Sequence, residues 1–186
     1  MHSARKEGDL PRALASARAL SGGFFGPVLS PWLDDVTNDI RKEVVEGNLL
    51  SIKRLVPDSE ESAYAEMELG RLALSRGDPG QAVLHLERYL KSGLGRDAAR
   101  ARMDLSDAHR ELKNYSKATE LLEEVLKSKL SREERMEASF RLGELRQFYL
   151  NRPGEAVEIY RKALEDTVAA GRWRNDILTN LSLLKE

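Results

Sequence analysis

Residues 63–91 read AYAEMELGRLALSRGDPGQAVLHLERYLK, and this stretch decides the fold. Apolar residues recur at three- and four-residue steps on both sides of Gly77-Asp78-Pro79-Gly80, the pattern of two amphipathic helices joined by a turn. Asp78 supplies a capping carboxylate, and Pro79 fits the first helical position because its ring fixes φ and its missing N–H would have no partner there. Small residues stand where the two helices must touch, Gly70 in the first and Ala82 in the second, with Leu69, Leu72, Ala73, Leu86, Tyr89 and Leu90 around them.

Two further copies follow. Leu105-Ser106, the turn at Asn114-Tyr115, Ala118 and Leu122 repeat the pattern, and both Gly70 to Ser106 and Ala82 to Ala118 span 36 residues. Leu142-Gly143 and Pro153-Gly154-Glu155-Ala156 repeat it again, at steps of 37 in the first helix and 38 in the second. One extra residue therefore lies between Gly143 and Ala156, and the turn near Leu150-Asn151 is the expected place for it. Asp58 with Glu61 and Ser131 with Glu134 have the spacing of capping boxes before two of the first helices.

The spacing of Leu69-Gly70, Ala73, Gly77-Asp78, Ala82 and Leu86 resembles the tetratricopeptide repeat. The resemblance implies an all-α fold, an α-solenoid of antiparallel helical hairpins wound as a superhelix, with repeats at 58–95, 96–130 and 131–168. Residues 1–20 read as the second helix of a partial repeat, from Gly8-Asp9 and Ala13, and 21–30, with three glycines and a proline around Phe24 and Phe25, as a loop. Residues 31–57 read as a divergent hairpin turning at Gly47-Asn48, and 169–186 as a C-terminal capping helix with Trp173, Ile177, Leu181 and Leu184 on one face. All of these are expected to form one solenoid domain.

Composition narrows the function. With 30 basic and 31 acidic residues the formal charge is −1, which gives no electrostatic footprint for nucleic acid. No apolar run is long enough to span a membrane. The absence of cysteine excludes disulfide and thiolate sites, which favours a reducing compartment such as the cytoplasm and leaves the bacterial periplasm as the alternative. His2, His85 and His109 lack metal-ligand spacing and read as packed or solvent-facing. Asp104 and Asp107, beside Arg100 and Arg110, read as salt-bridged surface charge rather than a catalytic pair. No catalytic residue, metal or cofactor is expected.

What the resemblance implies about partners is more specific. In that family the second, fifth, ninth and twelfth positions of each repeat line a concave groove. These are Tyr64, Met67, Arg71 and Leu74; Arg100, Met103, Asp107 and Arg110; and Glu137, Phe140, Glu144 and Gln147. Met67, Met103 and Phe140 share the fifth position and are expected to form an accessible apolar stripe, with Leu69, Leu105 and Leu142 buried two residues later. The resemblance implies an adaptor or scaffold that binds a peptide or helix of a protein partner, with an effector-sensing regulatory domain as the alternative. Members that grip chaperone tails carry an asparagine where Arg71 stands, so that ligand is not expected.

Overall fold

The computed structural model describes residues 42–43, 45–165 and 172–184, which form helices and short connections with no strand among the described residues. The partial repeat at 1–20, the loop at 21–30 and most of the first helix of 31–57 lie outside these residues. The chain divides into two compact units, Met1–Ala65 and Glu66–Glu186.

In the first unit residues 45–55 are helical without interruption, so the turn expected at Gly47-Asn48 is absent. A glycine inside a helix costs about 1 kcal/mol relative to alanine and does not by itself break it, and the Ser51 hydroxyl donates back to the Gly47 carbonyl at 2.9 Å. Leu49 is buried while Leu50 and Leu55 are exposed. The helix that follows is capped by Ser59, whose hydroxyl accepts from the Ser62 amide at 3.1 Å, and not by Asp58 as the spacing suggested.

The helices that carry the repeats are α1 (Glu60–Ser75), α2 (Pro79–Ser92), α3 (Ala98–Glu111), α4 (Tyr115–Lys127), α5 (Arg132–Glu144), α6 (Pro153–Glu165) and α7 (Arg172–Leu183). Within the second unit, α2 to α6 each pack on the next helix in the chain, and α7 packs on α5 and α6. Asp78 accepts from the Gln81 amide at 3.0 Å to start α2, and the Ser131–Glu134 capping box starts α5. Gly93, at φ 67°, ends α2.

Each hairpin closes on one small residue. A Cβ on Gly70 would stand 2.6 Å from Leu86 Cγ, and one on Gly143 would stand 2.1 Å from the Tyr160 ring. Ser106 fits at the same place in the second repeat and donates to the Ala118 carbonyl at 2.9 Å. Leu86, Leu122 and Tyr160 are the facing residues, all fully buried. Tyr160 is the largest of the three, its hydroxyl accepts from Asn180 of α7 at 3.0 Å, and burial pushes that hydroxyl's pKa up to about 12. Ile177 is buried beside Met136, Ala156, Tyr160 and Ala163, with Trp173, Leu181 and Leu184 packed around them.

The extra residue of the third repeat is not at the turn. Lys113 and Asn151 stand where Gly77 stands, and all three have left-handed φ, 72°, 62° and 53° in chain order. Seven residues separate Gly70 from Gly77 and Ser106 from Lys113, but eight separate Gly143 from Asn151. The insertion thus falls in the end of the first helix, where Leu145–Tyr149 form a π-helical turn. The bonds that close the turns shift accordingly. Asp78 and Asn114 donate five residues back, to Ala73 and His109, whereas Arg152 donates six back, to Arg146.

This packing predicts a specific coupling. Gly143→Ala should destabilise the chain by about 1–3 kcal/mol, because overpacking exceeds the helix-propensity gain of about 1 kcal/mol. In a Tyr160→Leu background, where room exists, the same substitution should cost little. A double-mutant cycle of denaturant midpoints checks this, and additive effects would refute the contact.

Candidate interaction face

The three first helices α1, α3 and α5 bring the expected positions together only in part. Tyr64 belongs to the first unit and is exposed. Met67 and Met103 are buried, at 4% and 0% exposure, so the accessible apolar stripe is not formed. Met103 instead belongs to the core, clustered with Ala118 and Leu122 of α4 and Ala138 and Leu142 of α5. Its unbranched side chain suits an irregular seam between successive hairpins. Phe140 is half-buried, with its ring 5.2 Å from Trp173 of α7 and tilted by 41°. Leu69, Leu105 and Leu142 are buried as expected. Leu74 is half-buried, and Gln147, drawn into the π-helical turn, faces the Tyr160 hydroxyl at 3.4 Å.

What the face presents instead is a ladder of charge. Arg71 Nε lies 3.4 Å from Asp104 Oδ2, joining α1 to α3. Arg100 Nη1 straddles both oxygens of Glu137 at 3.1 and 3.2 Å, joining α3 to α5. Arg141 Nη1 donates to Asp107 at 2.6 Å and its other terminal nitrogen donates to Glu137. Arg110 lies 3.7 Å from Asp107. Asp104 and Glu137, expected at the surface and in the groove, are buried beneath these arginines. Burial pushes the Asp104, Asp107 and Glu144 carboxyls above their usual range against the pull of neighbouring arginines. The ladder is therefore bought with desolvation, and it fixes orientation more than it adds stability.

The layering is one-sided. The side chains of Arg71, Arg100 and Arg110 are 42%, 38% and 32% exposed, against 8% for Asp104 and for Glu137. Asp104 and Glu137 lie beneath and Arg71, Arg100 and Arg110 lie above, while Arg141, at 14% exposure against 25% for Asp107, is the inner member of its pair. Arg141 was not among the expected positions, although opposite charges 34 and 37 residues apart, Asp107 with Arg141 and Arg100 with Glu137, were present in the sequence as a signal.

Two histidines have definite roles. His85 Nδ1 is 2.6 Å from Glu66 Oε2, tying α2 to α1. His109 has both ring nitrogens buried without a hydrogen-bond partner among the described residues. Burial lowers its pKa, opposed by Glu87 and reinforced by Lys117. No group of three histidine or acidic residues among the described residues is placed to hold a metal, and no described helix is long and apolar enough to cross a membrane.

A sequence profile of the tetratricopeptide repeat family matches residues 67–133, from within α1 to the start of α5. No curated protein matches the chain.

His109 gives a pH prediction. The unfolded ring takes a proton near pH 6.5 and the folded ring only at lower pH. Its contribution is therefore full above about pH 6.5 and is lost as pH falls below it. His109→Phe removes this loss. Its midpoint advantage over the natural chain should widen between pH 7.5 and pH 5.5, and a constant gap would contradict the burial argument.

Proposed function

The chain is a tetratricopeptide repeat protein, and from that premise we propose that the face of α1, α3 and α5 lines a groove that holds a peptide or helix of a protein partner. Repeats of this family are generally protein–protein interaction modules, on a fold that is typically non-catalytic. The chain then acts as an adaptor or scaffold.

The observation that supports the reading is the arginine layer. Each outer guanidinium has five N–H donors in a rigid fork, and Arg71 and Arg100 are paired with the buried Asp104 and Glu137 while staying 42% and 38% exposed. Such pre-orientation lowers the entropy cost of binding. Of the twelve expected positions, Arg71, Arg100, Arg110, Asp107 and Glu144 carry this reading. Met67 and Met103 support the face from within the core.

A photo-crosslinking residue placed at position 74 or 144, in cells of the source organism, tests it. One partner protein should be captured reproducibly from both positions. Its affinity should fall about ten- to a hundredfold in Arg71→Ala/Arg110→Ala, the equivalent of about 1.4–2.7 kcal/mol. Asp104 keeps Arg100 and Asp107 keeps Arg141 in that variant, so the fold should survive. Capture unaffected by the double substitution would refute the face.

A further inference from the structure

The π-helical turn of the third repeat has an effect at the turn end of the hairpin. Phe148 and Tyr149 within it are 56% and 45% exposed. Tyr149 lies 5.0 Å from Tyr115, the rings tilted by 36°, which brings the α5–α6 turn against the start of α4. Leu112, at the end of α3, is exposed as well. Beside this pair opens a cavity of about 380 Å³ lined by Lys113, Asn114, Tyr115, Ser116, Lys117 and Leu150.

Two features of this edge define what fits it. Its apolar part is aromatic and solvent-facing, a kind of surface that in soluble proteins marks contact sites. Its charged lining residues are both lysines, and no carboxylate lines the cavity. Lys117 also reaches Glu120 at 3.2 Å, but that pair is exposed on one helix surface, and such pairs hold little energy and exchange readily. An occupant must therefore offer negative charge to Lys113 and Lys117 and an apolar side chain to Tyr115, Tyr149 and Leu150. A basic segment is repelled, and an uncharged one leaves the lysines unused.

We propose that this turn edge is a second docking site, separate from the face of the first helices, for a linear segment of a partner protein in which acidic residues alternate with aliphatic or aromatic ones. The inserted residue creates the site, since neither of the other repeats has an aromatic pair at its turn. Counted back from the left-handed turn residue, the positions of Phe148 and Tyr149 hold Leu74 and Ser75 in the first repeat and Arg110 and Glu111 in the second. The proposal does not depend on the arginine ladder.

Fluorescence anisotropy with the full chain tests it, using a labelled twelve-residue peptide of repeated Asp-Leu-Asp-Phe. Counterparts with lysine for aspartate, a proline-rich peptide and a twelve-nucleotide oligouridine serve as competing probes. The acidic–apolar peptide should bind saturably, weaken at least tenfold in Lys113→Glu and in Tyr149→Ser, and be unchanged in Arg110→Ala. Thermal melts of the two edge variants establish that they remain folded, and both positions are exposed. Absence of binding, binding insensitive to both edge variants, loss of binding in Arg110→Ala, or equal binding of a competing probe would overturn the proposal.

Discussion

The close approach of two helices at one small residue is the constraint on which the repeats depend. At Gly70 and Gly143 no room exists for a Cβ, and at Ser106 the hydroxyl is accepted by the facing carbonyl of Ala118. The residue opposite sets the tolerance. Leu122 coexists with a serine, whereas the Tyr160 ring occupies the volume a side chain at 143 would need. Tyrosine at that place also reaches across to Asn180, so the same substitution that demands glycine ties α7 to the last hairpin. Because each hairpin buries too little on its own, stability passes from neighbour to neighbour along such contacts.

That constraint also explains where an inserted residue can go. The turns are held by a left-handed residue followed by a long backward hydrogen bond, the same in all three repeats apart from one added residue of span in the third. The helix contact at Gly143 and the turn at Asn151 are thus both fixed, and the surplus is absorbed between them by widening one helical turn. A π turn of this kind rotates the residues that follow it. Arg146, within the π turn, is 14% exposed and lies 2.5 Å from Glu123 of α4 and 2.9 Å from Glu155 of α6. Glu123 accordingly pairs across the hairpins and not with Lys127 on its own helix.

Local pattern made much of this legible. Repeat steps, turn residues, Pro79 and the Ser131–Glu134 box are short-range signals, and each helix of the three repeats can be placed from them. The existence of an insertion followed from counting, but its position did not, because the choice between turn and helix depends on which contacts are rigid. The interaction face was legible only as a set of positions. Whether Met67 and Met103 face solvent or core depends on how tightly successive hairpins pack. Which charges lie above and which beneath depends on pairs more than thirty residues apart, such as Arg71 with Asp104. Gly47-Asn48 shows the reverse failure, a turn signal overruled by the helix around it.

The central claim is that the helix contact and the turn are fixed points and that the surplus residue is stored between them. Deletion of Phe148 restores seven residues between Gly143 and the turn asparagine and brings Leu150 to the place of Leu112. Amide hydrogen exchange on this deletion variant is the most direct test. The account predicts that α6 and α7 keep the protection they have in the natural chain, with the π-helical bonding replaced by regular α-helical bonds. Collapse of protection in α6 and α7 would show instead that the π turn is required for the third hairpin to close, and would contradict the account.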